Sequence, residues 1–231
     1  MSVPVLVLGN KLYSSWSLRP WFLMRAFGLQ FEHKVVSLYQ PDSKPNILAH
    51  SPSGHVPVLV DGDVTVWDSL AITEYLAEKH PELNIWPRDR AARAHARAIA
   101  AEMHAGFEDL RTSCPMNLGK RFARRDRGEA AARDVARICE IFTGTRARFG
   151  SRGPYLFGDL CAADAIYLPV VTRLDTYSIE VDPATRAYME TMLRHPAFAE
   201  WRAAALLEPW VIARAEVDEQ PIEEFRKLAA G

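Results

Sequence analysis

The hydrophobic pattern of this chain changes character at one segment, and that change constrains the fold more than any other feature. Before Pro81, short β-type runs alternate with helical stretches, whereas after Asp89 every periodic segment has helical spacing. The segment between these two residues is rich in proline and charge. At 231 residues the chain is long enough for two compact units. We therefore predict two domains, residues 1–80 with mixed α/β structure and residues 90–231 with helices alone.

The first domain is predicted to begin with a β-α-β arrangement. The apolar run Pro4 to Leu8 is typical of a buried strand. A helix is predicted from Leu18, with Pro20 in its first turn and a stop at Gly28. The run Phe31 to Leu38 predicts a second strand. Because a helix joins the two strands, we expect them to be parallel.

A hairpin and a second helix are predicted to complete this domain. The apolar runs Val56 to Val60 and Val64 to Trp67 flank an Asp-Gly pair, which is a strong hairpin signal. Asp68-Ser69 then precede an amphipathic stretch that Pro81 ends, as an N-cap precedes a helix. The first domain is thus a mixed sheet with helices.

The second domain shows only helical periodicity. The segments Ile99 to Leu110 and Val135 to Phe149 predict a helical hairpin. The mostly apolar segment Ala163 to Leu174 predicts a central helix. Two further helices are predicted to begin after Asp182 and His195, each of which precedes a proline.

Composition and motif content exclude several classes of function. With 28 Lys and Arg against 29 Asp and Glu, the net charge of −1 offers no field that would attract nucleic acid or an anionic membrane. Dinucleotide, P-loop, zincin and α/β-hydrolase motifs are missing from the sequence. The separated Cys114, Cys139 and Cys161 favour reduced thiols and a cytoplasmic protein, and no metal site is predicted.

Four stretches in order carry a resemblance to one family. They are Ser14–Arg19, Ser51–Leu59, Asp68–Ile72 and Phe157–Asp164. Together they resemble the cytosolic glutathione transferases, which join a thioredoxin-like α/β N-terminal domain to an all-α C-terminal domain. The first stretch resembles the Ser-Ser-Cys-Ser loop of the zeta class, with Trp16 in place of the cysteine.

The resemblance implies that glutathione is the co-substrate and that a hydroxyl in the serine loop stabilises its thiolate. A free thiol has a pKa of about 8.5, so it must lose its proton before it attacks an electrophile near neutral pH. A hydroxyl donor at a helix N-terminus favours that ionisation. Ser14 is the preferred donor, and Ser15 and Tyr13 remain alternatives.

The same resemblance implies a set of residues that bind glutathione. Val56, ahead of a cis Pro57, is expected to pair its backbone with the cysteinyl part of the ligand, as an added strand would. Asp68 and Ser69 are expected to hold the γ-glutamyl end, and His55 to reach the glycyl carboxylate.

The electrophile site is expected between the domains, next to the serine loop. Its candidate residues are Tyr13, Met103, His104, Phe107 and Arg111, although simple helix packing explains the last four equally well.

These observations predict a cytoplasmic, homodimeric glutathione transferase of zeta-like or unassigned serine type. Its expected reaction is the conjugation or isomerisation of small apolar electrophiles, a detoxification chemistry, with no nucleic-acid or membrane partner. The alternative is a non-catalytic glutathione-binding or interaction protein that kept the fold. A glutathione-dependent disulfide reductase is disfavoured because residues 1–80 contain no cysteine.

Overall fold

A β-sheet flanked by helices occupies the first third of the chain in the computed structural model, which describes residues 3–226. The elements of this part are β1 (Val5–Leu8), α1 (Ser15–Ala26), β2 (Glu32–Val35), α2 (Ser43–Leu48), β3 (Val58–Asp61), β4 (Val64–Val66) and α3 (Ser69–Lys79).

The four strands of this part are ordered β2-β1-β3-β4 in a mixed sheet. Strands β1 and β2 are parallel, and the β1–β3 and β3–β4 pairs are antiparallel. Val7 lies opposite Val58, and Leu59 lies opposite Val66. The predicted β-α-β unit and the predicted hairpin are therefore both confirmed.

Helix α1 begins three residues earlier than its apolar pattern suggests. Ser14 is its N-cap, so Ser15 to Ser17 form the first helical turn instead of a loop. Pro20 consequently lies in the helix interior and not in the first turn as predicted. Hydroxyl side chains compete with the backbone for hydrogen bonds, which makes a serine-rich start hard to place from the pattern alone.

The remainder of the chain is mostly helical. A short 3₁₀ turn at Pro81–Leu83 lies in the predicted linker. The elements that follow are α4 (Arg90–Ala105), α5 (Glu108–Ser113), β5 (Lys120–Phe122), α6 (Glu129–Phe149), α7 (Ala162–Thr176), α8 (Pro183–Leu193), α9 (Pro196–Leu206) and β6 (Pro221–Glu224). The predicted fold class, an α/β part followed by a helical part, is confirmed.

Two features of the second part differ from the prediction. The periodic segment Ile99 to Leu110 is broken at Gly106, and Phe107 has the left-handed φ of 56°. In addition, β5 and β6 form a small antiparallel sheet in the part that was predicted to be all helical. Each of these strands is short and charged, and the two are about a hundred residues apart in sequence. No local pattern therefore predicts their pairing.

Helix α7 is the central element of the second part, as predicted. All of its residues except Asp175 are buried, and α1 and α4 both pack against it. A single hydrophobic cluster includes Trp21 and Phe22 of α1 together with Tyr167 and Val170 of α7. The two parts of the chain therefore share one core. Within residues 3–226, no helix has the length and apolar character required to cross a bilayer.

Candidate functional site

Ser14 is the last residue of the loop between β1 and α1, at the positive end of a twelve-residue helix. Its hydroxyl donates to Ser17 Oγ over 2.8 Å and accepts from the Ser17 N–H over 3.4 Å. Ser17 Oγ in turn accepts from the backbone N–H of Gly9 over 2.9 Å. Both serines are buried. The Ser14 hydroxyl is thus a buried donor at the helix N-terminus. Its hydrogen is directed at Ser17, and rotation about the Cβ–Oγ bond can redirect it to an anion.

The two alternative hydroxyls of the serine loop are held by distant parts of the chain. Tyr13 donates its hydroxyl to Glu216 Oε1 over 2.7 Å, and burial followed by this hydrogen bond raises the pKa of Tyr13 well above its ordinary value. Ser15 Oγ accepts from Nη2 of Arg173 over 3.3 Å. Sequence reasoning could not weigh these contacts because the partners lie 203 and 158 residues away.

The segment before β3 runs beside the serine loop. The Val56–Pro57 peptide is cis, as predicted. Because Val58 pairs with Val7 in an antiparallel ladder, continuing that register sets Val56 opposite Gly9. Pro57 is buried, Val56 is half-buried and His55 is exposed. An extended backbone in this position can pair with a peptide ligand that lies across the loop.

The start of α3 presents a carboxylate and a hydroxyl. Asp68 caps the helix, and its Oδ1 accepts from the N–H groups of Leu70 and Ala71 over 3.0 and 3.2 Å. Its other oxygen lies 2.8 Å from Nε2 of His104 on α4. Ser69 is 1% exposed, and its hydroxyl has no hydrogen-bond partner in the described part of the chain. An unpaired buried hydroxyl at a helix N-terminus can bind an anion.

Trp16 brings cationic side chains together between the two parts of the chain. The guanidinium carbons of Arg19 and Arg111 lie 4.1 and 4.9 Å from the Trp16 ring centroid. The His104 ring meets the same indole edge-on, with 5.2 Å between centroids. Two of the predicted electrophile-site residues, His104 and Arg111, therefore lie next to the serine loop.

The other two candidates on this side, Met103 and Phe107, are buried in the hydrophobic cluster. Met103 is 0% exposed, so the structure places it in the packing of α4. Phe107 is at the break between α4 and α5 and is 7% exposed.

Two buried arginines near the serine loop were not identified from the sequence. Arg19 is 2% exposed and donates from Nε to the Ile166 carbonyl over 3.1 Å, whereas its Nη1 has no partner within residues 3–226. Burial, and then the charges of Arg173 and Arg111, lower the pKa of Arg19 to about 9. Burial likewise lowers the pKa of Arg173 to about 10. The buried Nη1 of Arg19 is therefore suited to an anion, beside the Asp68 carboxylate that already acts on Arg19.

Arg173 adds positive charge near the serine loop and also holds that loop in place through its hydrogen bond to Ser15. Its Nε donates to the Cys114 carbonyl over 2.9 Å and its Nη1 to the Pro169 carbonyl over 3.1 Å. The only signal in the sequence was a basic residue within the mostly apolar segment Ala163 to Leu174, where an unpaired charge is costly.

Comparison with known proteins identifies relatives among the glutathione transferases. Residues 13–79 match a family described as the N-terminal domain of glutathione S-transferase. A probable maleylacetoacetate isomerase of Caenorhabditis elegans is 30% identical over 198 residues, which is 81% of this chain and 90% of that protein. A zeta-class glutathione S-transferase of Euphorbia esula is 28% identical over 74% of this chain and 79% of its own length.

A solved structure supports the fold. The crystal structure of a glutathione transferase homologue from Burkholderia, with bound glutathione, superposes with a TM-score of 0.66 at 24% identity. The match covers 88% of this chain and 98% of the other. Because the C. elegans relative is matched along most of both sequences, the chain belongs to the glutathione transferase family and is zeta-like in sequence.

Proposed function

We propose that the protein is a glutathione transferase that converts the thiol of glutathione to thiolate and directs it at a small electrophile. The observation that carries the proposal is the position of Ser14, a buried hydroxyl donor at the N-terminus of α1. The β1–β3 register sets the cis Val56–Pro57 segment beside the same loop, and His104 links Asp68 at the start of α3 to Trp16 in the first turn of α1. A hydrogen bond and the helix dipole both stabilise the thiolate more than the thiol.

Residues 1–80 are proposed to bind glutathione. The unpaired Ser69 hydroxyl and the N-terminus of α3 suit the γ-glutamyl carboxylate, and the Asp68 carboxylate suits its ammonium group. The backbone of Val56, next to the cis peptide and just before β3, is proposed to pair with the cysteinyl amide groups. The exposed His55 is proposed to meet the glycyl carboxylate.

Residues 90–231 are proposed to complete the electrophile site. The arginines around Trp16 favour an electrophile that carries a carboxylate in addition to an apolar part. Two relatives are named for maleylacetoacetate isomerase, and maleylacetoacetate is an unsaturated acid. The sequence alone predicts a small apolar electrophile. The arginines and the names of these relatives narrow the proposed electrophile to an unsaturated or halogenated acid.

Two reactions of such an acid need the same thiolate. In isomerisation, the thiolate adds to one carbon of an activated double bond, the new single bond rotates, and elimination returns both the double bond and free glutathione. In conjugation, the sulfur–carbon bond stays and a leaving group such as halide departs with the electron pair. Arg111 and Arg19 are proposed to hold the carboxylate during either reaction.

The decisive experiment measures glutathione binding and turnover separately. We expect calorimetry to detect binding at millimolar glutathione, and we expect a panel of electrophiles to show faster turnover for acids than for their methyl esters. The proposal fails if the folded protein binds no glutathione. Binding without consumption of any electrophile would instead favour the non-catalytic alternative.

We further propose that the protein is a cytoplasmic homodimer, as the family resemblance implies. Size-exclusion chromatography with light scattering should give twice the chain mass of 26.0 kDa. A monomeric mass at micromolar concentration would contradict the proposed assembly.

A further inference from the structure

Three backbone hydrogen bonds join the loop that precedes Ser14 to Trp201 and Glu208, about 190 residues further along the chain. The N–H groups of Lys11 and Leu12 donate to the two carboxylate oxygens of Glu208 over 2.8 and 3.2 Å. The Lys11 carbonyl accepts from Nε1 of Trp201 over 2.9 Å, and the Leu12 carbonyl accepts from the N–H of Leu118 over 3.2 Å. All four backbone groups of these two residues are therefore held by the helical part.

This arrangement connects directly to Ser14. The N–H groups of Tyr13 and Ser14 both donate to the Asn10 carbonyl, over 3.2 and 2.8 Å, so residues 10–14 form one tight turn. Two residues of that turn, Lys11 and Leu12, are the ones that Glu208 binds. A shift of either N–H group would move the turn and with it the start of α1.

Glu208 is well suited to a positioning role. It lies just after α9, is 9% exposed, and uses both carboxylate oxygens as acceptors for successive N–H groups. Arg226 donates to its backbone carbonyl and fixes the segment from the other side. Burial raises the pKa of Glu208 above its ordinary value, which is the expected cost of placing a carboxyl group in the protein interior.

We propose that Glu208 is a positioning residue for catalysis, and that its carboxylate sets the direction in which the Ser14 hydroxyl meets the glutathione thiol. The proposal rests on the proposed function. It assigns to the C-terminal segment a role in thiol ionisation, although that segment does not supply the donor itself.

The test is the Glu208→Gln variant, in which an amide NH₂ group replaces one of the two acceptor oxygens and faces a backbone N–H group. We expect the pKa of bound glutathione, followed by the ultraviolet absorbance of the thiolate, to rise toward the value of about 8.5 of a free thiol. We expect kcat near neutral pH to fall by about ten-fold to a hundred-fold, with the glutathione Kd unchanged within about two-fold.

The sign of the pKa change separates positioning from a simple charge effect. Removing a negative charge from the protein would lower the pKa of a nearby thiol, whereas a misplaced Ser14 hydroxyl raises it. Glu200→Gln is the matched control, because Glu200 is a carboxylate of α9 that pairs with Arg25 on the surface. We expect this control to keep the wild-type thiol pKa and kcat.

A folded Glu208→Gln protein with the wild-type thiol pKa would overturn the proposal. If that variant does not fold, Trp201→Phe removes the hydrogen bond to the Lys11 carbonyl while keeping an aromatic ring, and a smaller rise of the thiol pKa is expected. A wild-type protein that binds no glutathione would be a failure of the proposed function. Failure of the positioning proposal alone would leave wild-type binding and thiol ionisation intact.

Discussion

Ser14 combines two roles that single substitutions can separate. It caps α1, and it is the proposed donor to the thiolate. We expect Ser14→Ala to raise the pKa of bound glutathione and to lower activity near neutral pH by about ten-fold to a thousand-fold, the usual effect of losing a donor that stabilises charge. Activity should partly recover at higher pH because the thiol then ionises without help. A pH–rate profile checks this.

Ser14→Gly controls for helix capping, since glycine costs an N-cap only a few tenths of a kcal/mol whereas alanine costs about 1 kcal/mol. Both variants should lose the same activity. Ser15→Ala and Tyr13→Phe should keep the wild-type pH profile, because Arg173 and Glu216 already engage those hydroxyls. The donor assignment would be wrong if either variant lost activity while Ser14→Ala kept it.

Ser69 offers a test of glutathione recognition without a loss of stability. Its buried hydroxyl lacks a partner within the described chain, so removing it costs the free protein no hydrogen bond. We expect Ser69→Ala to change the free energy of unfolding by less than about 1 kcal/mol and to raise the glutathione Kd by about ten-fold or more. Calorimetric titration beside denaturant unfolding checks both numbers. An unchanged Kd would remove Ser69 from the proposed site.

Asp164 makes the stability of the helical part depend on pH. Its buried carboxyl group accepts from the N–H groups of Leu156 and Cys161 and from the Tyr188 hydroxyl. Burial outweighs these hydrogen bonds and raises the pKa of Asp164 from 3.8 to about 6. The folded state therefore binds this proton more tightly than the unfolded chain, and the associated stability is present below pH 4 and lost as pH rises through about 6.

We expect the free energy of unfolding of the wild type to fall by about 2 kcal/mol more than that of Asp164→Asn between pH 4 and pH 7. Denaturant unfolding of both proteins across that range measures the difference, and the comparison cancels the other titrating groups. Parallel pH dependences of the two proteins would contradict the raised pKa.

At the scale of elements, two substitutions of Asp68 at the start of α3 distinguish its role in helix capping from its proposed role in ligand binding. Asparagine caps a helix as well as aspartate does, whereas alanine does not. We therefore expect Asp68→Asn to keep the unfolding free energy and to weaken glutathione binding through the lost charge. Asp68→Ala should weaken binding similarly and also cost about 1 kcal/mol of stability. Equal stability of the two variants would show that the hydrogen bonds of Asp68 to Leu70 and Ala71 do not stabilise the helix.

The elements that the sequence predicted well are those with local signals. The Asp-Gly hairpin, the cap at Asp68 and the apolar helix α7 each depend on residues close in sequence, and the structure contains all three. The break at Gly106 was missed because the apolar spacing continues across it. The β5–β6 pair was missed because its two strands are stabilised by each other and not by their own composition.

The candidate site follows the same rule. Motif positions such as Ser14, Asp68 and Ser69 are visible in the sequence, and the structure sets all three at helix N-termini. The partners that hold the loop come from the other end of the chain, as Glu208 and Glu216 illustrate. One sequence without aligned relatives gives no signal that links residues some two hundred positions apart.

At the scale of the whole molecule, α1 belongs physically to both parts of the chain. Its residues from Ser17 to Met24 are buried, and it packs against α7 and α9 as well as α3. The Trp21 and Trp201 rings lie 5.2 Å apart across this contact, and Arg19 donates to a carbonyl of α7. The boundary near residues 81–89 therefore separates two patterns of secondary structure without separating two cores.

This shared core predicts that the two parts unfold together. A fragment of residues 1–88 would expose Leu18, Trp21 and Phe22, each of which contributes about 1.5–3 kcal/mol when buried, a large fraction of a typical domain's stability. It would also lose the hydrogen bonds that fix Lys11 and Leu12. We expect the fragment to lack cooperative unfolding, and the full chain to show one transition by near-ultraviolet circular dichroism and by calorimetry. Two separate transitions, or a fragment that unfolds cooperatively, would show that the sheet domain is stable without the helices. The hydrogen bonds that Glu208 accepts from Lys11 and Leu12 would then orient a loop whose domain was already folded.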